Sequence, residues 1–146
     1  MSDQKPAPKG KGRHLARERA IQALYQREIT GQTVADIHAQ FLEDREMKGL
    51  DVPYFQRLIR GADRHQGALD DLYSPHLDRA VASLDIIERV ILRMACYELV
   101  HEAGVPYRVV INEGVELAKR FGGEQGHKYV NAVLDKTAKV ARAITS

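Results

Sequence analysis

Two places along the chain combine side chains suited to phosphates and bases. Arg13, His14 and Arg17 cluster near the N-terminus, with the two arginines four residues apart. On a helix that spacing puts both on one face, continuing the line of Ala20 and Leu24 past the expected end of the core. Guanidinium groups so placed clamp phosphates or pair with base edges. Lys128 and Tyr129 stand at another expected helix start, where a cation beside a flat ring suits an unpaired base. Each pattern has a plainer alternative: a solvated helix end for the first, a tyrosine capping the core for the second. Glu88 is the third residue of interest. Its helical angle sets it between Leu84, Ala95 and Leu99, and a carboxylate on an apolar face is costly unless matched. It must therefore pair with a neighbouring arginine or face a partner.

Patterns that would indicate catalysis fail in turn. The stretch GGEQGHK from Gly122 has glycines like a phosphate loop. However, no lysine directly follows Gly126, no serine or threonine follows Lys128, and a helix precedes it; it reads as helix punctuation. The six histidines include no pair at four-residue spacing, and Cys96 is the only cysteine, so neither a zinc site nor an internal disulfide is expected. Cys96 lies in an apolar helical run and reads as a buried structural thiol. The serines are Ser2, Ser74, Ser83 and Ser146, none in a nucleophile elbow. No di-metal carboxylate site of the helical-bundle kind is expected. The expectation is a non-enzymatic chain with no cofactor and no metal.

The elements that must position these residues are helical. The 146 residues, 44% hydrophobic and 29% charged, suit one globular domain. No apolar run approaches the roughly 20 residues of a membrane span, and no secretory apolar core follows the basic N-terminus. The net charge is only +2, yet residues 1–19 hold six lysines and arginines against Asp3 and Glu18. A basic arm of this kind fits a polyanion partner and fits a solubilising tail equally well. Residues 1–12, rich in proline, glycine and lysine, predict a disordered tail, and residues 13–146 an all-α domain.

Helical spacing runs from Arg13 to near Gly31. Thr33 predicts the cap of a second helix with Val34, Ile37 and Phe41 inward. Asp51 and Pro53 start a third, whose apolar stripe runs from Phe55 through His65 to Leu72. Ser74–Pro75 predicts a cap and first-turn proline. Leu84–Ala103 reads as a central helix, surrounded except for a polar stripe of Asp85, Arg89 and Arg93. Val110, Gly114, Leu117 and Phe121 mark the inner face of the next helix. The last helix turns Val130, Val133, Leu134 and Thr137 inward, and Lys128, Lys136, Lys139 and Arg142 outward.

Four stretches carry a family resemblance: ARERAIQALYQ from Ala16, DIIERVILRMACYEL from Asp85, VPYRVVINEGVELAKRFG from Val105 and HKYVNAVLDKTA from His127. They resemble the NusB family of bacterial transcription antitermination factors, along nearly everything after the basic tail. The resemblance implies about seven helices in two packed three-helix-type bundles. It implies binding to the boxA element of ribosomal RNA leader transcripts together with the NusE-type small-subunit ribosomal protein, within an RNA polymerase antitermination complex in the cytoplasm. The family's RNA-contacting first turn maps onto Arg13, His14 and Arg17, and its aromatic in the last helix onto Tyr129, beside Lys128. Tyr25 and Glu88 map onto the protein-partner surface. The chain departs from the family at His14 and Leu15, where arginine is usual, and at Tyr129, where phenylalanine is common. It departs again at Gln125 and Gly126, where an acidic residue and a serine are frequent. Two other classes fit the pattern in part: a helical adaptor that binds only proteins, and the helical domain of certain RNA methyltransferases. The glycine-rich strand–turn–helix of a methyl-donor site is missing.

Overall fold

The computed structural model describes residues 9–44, 47–123 and 125–144. Among these residues there are seven α-helices and no strand: α1 (Lys9–Thr30), α2 (Val34–Asp44), α3 (Val52–Arg64), α4 (Gln66–Tyr73), α5 (Ile86–His101), α6 (Tyr107–Phe121) and α7 (Gly126–Ala141). Two short 3-10 turns, Ser74–His76 and Val81–Ser83, join α4 to α5. The chain divides into two compact units within α3, after Arg60.

Local capping chemistry sets several of the helix starts. The Asp36 amide donates to Thr33 Oγ1 at 3.1 Å, the Tyr54 amide to Asp51 Oδ1 at 3.1 Å, and the Ile87 amide to Asp85 Oδ1 at 2.9 Å. Each bond satisfies a donor that the helix itself leaves open. The first helix begins at Lys9, four residues ahead of the expected start. Its opening turn is tied down where the Asp51 amide donates to the Gly12 carbonyl at 3.1 Å. The rest of the expected tail, residues 1–8, lies outside the described residues.

In the first unit α1 packs on α2. Ala16, Ala20, Ile21, Ala23 and Leu24 of α1 are buried, as are Ile37 and Phe41 of α2 and Phe55, Leu58 and Ile59 of α3. The Phe41 and Phe55 rings stack at 5.9 Å. The expected stripe from Phe55 to Leu72 is one pattern on two helices. It breaks at His65 (φ −104°, ψ 20°), whose ring stacks on His101 at 4.5 Å. Ser74 is not a side-chain cap; its hydroxyl turns back to the Asp71 carbonyl at 3.4 Å.

In the second unit α5, α6 and α7 pack on one another, and α4 packs against α5 and α7. Ten consecutive residues of α5, Val90 to Leu99, are buried, so the helix is enclosed on every side. Gly114 permits the close approach of α6 and α7: a Cβ there would stand 2.8 Å from Leu134 Cδ1. Burial pushes the Cys96 thiol far above its ordinary value, in keeping with an inert core thiol.

Two arginines expected to face water are held by the fold, Arg93 buried and Arg142 half-buried. Arg93 is 5% exposed, and its guanidinium grips Asp70 with two bonds of 2.9 Å. The Tyr73 hydroxyl donates to the same carboxylate at 2.9 Å. Arg142 donates to the carbonyls of Leu99 at 2.6 Å, Val105 at 2.9 Å, Glu98 at 3.3 Å and Glu102 at 3.4 Å. It thereby caps the open C-terminus of α5 and complements that end of the helix dipole. Arg142→Ala should cost about 1.5–3 kcal/mol, the range for hydrogen bonds to a charged group, with Arg142→Lys recovering only part because an ammonium lacks the planar fork. Denaturant unfolding of the three proteins measures this. Equal midpoints would show that the side chain does nothing for the fold.

Candidate nucleic-acid interface

The first unit gathers cations around one ring. Tyr54 is fully buried. The guanidinium carbons of Arg13, Arg57 and Arg17 lie 4.5, 5.1 and 5.4 Å from its ring centroid. The negative face of the ring attracts each of them, and Asp51 adds one carboxylate 3.9 Å from Arg13 Nε. The three guanidinium groups thus share one small space around the ring. His14 lies alongside on α1, its Nε2 3.0 Å from Glu18 Oε1.

The expected surface role of Arg17 needs a geometric correction. Arg17 is only 2% exposed, because it lies against the buried Tyr54 ring of α3 and the chain also covers α1 at Gly12, through the turn at Asp51. Arg13 remains partly exposed, with 23% of its side chain open, and Arg57 is exposed. Sequence reasoning missed Arg57 and Tyr54. They sit three residues apart on α3, but nothing local says that this stretch meets the arginines of α1.

In the second unit Lys128 is exposed and Tyr129 is half-buried at the start of α7. The Tyr129 hydroxyl donates to Asp78 Oδ1 at 2.9 Å and accepts the Asp78 amide at 3.3 Å. The Arg79 guanidinium lies 4.6 Å from the ring centroid. It grips Asp78 through Nε–Oδ1 at 2.6 Å and a terminal nitrogen–Oδ2 bond at 3.2 Å. Hydrogen bonds from Arg79 and then from Tyr129 hold the Asp78 carboxyl down at about 2, so it is fully charged near neutral pH. Sequence reasoning passed over Asp78 and Arg79, a dipeptide in a connection without periodicity.

Glu88 is half-buried on the first turn of α5. Its Oε1 lies 3.2 Å from where a Cβ on Gly126 would stand, which places the carboxylate against the first residue of α7. Burial, with Asp85 nearby, raises its pKa, while Arg79 opposes the rise. On α1, Tyr25 and Ile29 are 39% and 56% exposed at four-residue spacing, an apolar strip open to solvent.

Glu98 and His101 do stand at Glu-x-x-His spacing, the pair on which a di-metal bundle site depends and which was not expected. They differ in environment, Glu98 being buried and His101 exposed against His65. Among the described residues no group of three or more histidines, cysteines or carboxylates could hold a metal ion. No helix among them is long and apolar enough to cross a membrane.

Comparison with known proteins bears on what these residues serve. The NusB family model matches residues 14–139. The transcription antitermination protein NusB of Pasteurella multocida is 49% identical over 140 residues, covering 96% of this chain and 97% of the relative. That of Marinobacter nauticus is 48% identical over 135 residues, covering 92% and 85%. Among solved structures, T. maritima NusB is similar with a TM-score of 0.77 and 32% identity over 91% of this chain and 92% of that one. A structure of the antitermination factors NusB and NusE in complex with dsRNA matches with a TM-score of 0.79 and 27% identity, over 87% and 96%. With its helical order matched by solved NusB structures and nearly its whole length by relatives close to half identical, the chain belongs to the NusB family.

Proposed function

We propose that this chain is a non-enzymatic transcription antitermination factor of the cytoplasm. In this reading it binds boxA-type RNA of ribosomal RNA leader transcripts together with a NusE-type ribosomal protein. The observation that carries the reading is the near-complete match to transcription antitermination proteins. The similar structure of NusB with NusE and dsRNA supports both partners. In the first unit Arg13, His14 and Arg57 meet phosphates, with Arg17 beneath them against the Tyr54 ring; in the second unit Lys128 and Tyr129 offer RNA a cation and a ring. Such binding weakens as salt rises, because each phosphate neutralised releases counterions.

The charge cluster is tested with an Arg13→Ala, Arg57→Ala double variant, which leaves the buried Arg17 in place. The salt slope of RNA binding should shrink by about 0.7–0.9 for each phosphate that the variant no longer neutralises. Any base contact made by Arg13 would add about 1–3 kcal/mol to the loss of affinity. Unaltered affinity and slope, with normal helicity, would remove the first unit from the interface.

Glu88 and the exposed Tyr25 strip are assigned to the protein partner. The fold disfavours ionised Glu88, since burial raises its pKa, and a basic residue of the partner would relieve that penalty. The sign is the reverse of the usual carboxylate. A raised folded-state pKa means that Glu88 costs stability above that pKa and ceases to do so as pH falls below the unfolded value. Glu88→Gln should therefore melt at the same or a slightly higher temperature at neutral pH and bind the NusE-type protein more weakly, with RNA binding alone unaffected. A large fall in melting temperature with undiminished partner affinity would assign Glu88 to the fold instead.

A further inference from the structure

The Tyr129 face already has an occupant of its own making. The Arg79 guanidinium lies over the ring at 4.6 Å, and the Asp78 carboxylate holds both that guanidinium and the ring hydroxyl. A carboxylate and a phosphate present the same paired oxygens to an arginine fork. We propose that Arg79 is a further RNA-binding residue of this surface, and that Asp78 sets its strength by holding Arg79 in the place where an RNA phosphate would. The proposal rests on the reading above that the Tyr129 face receives RNA.

The geometry suits an exchange rather than a permanent structural pair. Both side chains are well exposed, Arg79 at 46% and Asp78 at 65%, and ion pairs so exposed contribute little to stability. The pair nonetheless orders what RNA needs: it keeps the guanidinium beside the Tyr129 ring and ties the ring hydroxyl in place. Removing Arg79 from Asp78 leaves the carboxylate its bond from the Tyr129 hydroxyl, so the ring stays held while the guanidinium transfers. With its carboxyl held at about 2, Asp78 competes as a full anion throughout the neutral range in which RNA binding is measured.

The test compares short boxA-type RNA binding to the intact protein, Asp78→Asn, Arg79→Ala, the Asp78→Asn, Arg79→Ala double variant and Tyr129→Ala. Asparagine keeps an oxygen for the Tyr129 hydroxyl and removes the competing charge. Asp78→Asn should bind RNA several-fold tighter, because Arg79 no longer has to leave a carboxylate to reach the phosphate. The gain must vanish in the double variant relative to Arg79→Ala. A gain that survives there would be long-range relief of repulsion and would overturn the proposal, as would equal or weaker binding by Asp78→Asn. Tyr129→Ala separates this from failure of the underlying reading. If it loses RNA affinity while Asp78→Asn gains none, only the competition is wrong. If its affinity is unchanged, with an unchanged melting curve, RNA does not use this face and both fall.

Discussion

An arginine cannot shed its charge in a protein, so wherever the fold encloses one it must supply an anion, a carbonyl or an aromatic face. Much of this structure is arranged around that requirement. Arg93 inside the second unit is met by Asp70, with Tyr73 completing the carboxylate. Arg142 is met by the carbonyls at the end of α5 and the connection after it. Arg17 in the first unit lies against Tyr54. Removing one partner from a buried charged pair costs more than the pair contributes when intact.

The same requirement governs the residues proposed to meet RNA. Arg13 and Arg57 share the Tyr54 ring with Arg17, and the Asp51 carboxylate stands 3.9 Å from Arg13, beyond hydrogen-bond distance. Arg79 is satisfied by an exposed neighbour, Asp78, whose place a phosphate takes in the proposed exchange. Cations fixed in place by aromatic rings lose little freedom when an anion arrives, which is the advantage of preorganisation. Glu88 is the complementary case, a carboxylate that the isolated fold holds at a disadvantage and a basic partner would stabilise.

What could be read from the sequence was what local chemistry decides. Thr33 and Asp51 were recognisable as helix starts because a cap acts on an amide three residues away, whereas Asp85, expected in the polar stripe of the central helix, stands before its first turn and caps it. Cys96 could be placed in the core from the apolar residues of its own helix. Arg93 and Arg142 were expected in water because polar residues at helical spacing usually mark a solvated face. The partner of Arg93 is 23 residues distant and the acceptors of Arg142 as many as 44, and no local pattern announces them. The site divides the same way. Arg13, Lys128 and Tyr129 stood out by type and by family resemblance, whereas Asp78 reaches Tyr129 across 51 residues. Arg57 joins Arg13 only through the ring between them.

In the proposed function this protein reads a specific RNA jointly with a protein partner. The most direct measurement titrates boxA-type RNA and a scrambled RNA of equal length into the protein, each with and without the NusE-type protein, at fixed salt. The expected result is preference for the boxA-type strand, and strengthening by the partner that equals the factor by which this RNA strengthens partner binding. Equal affinity for both RNAs under both conditions, or partner binding that RNA leaves unchanged, would contradict it.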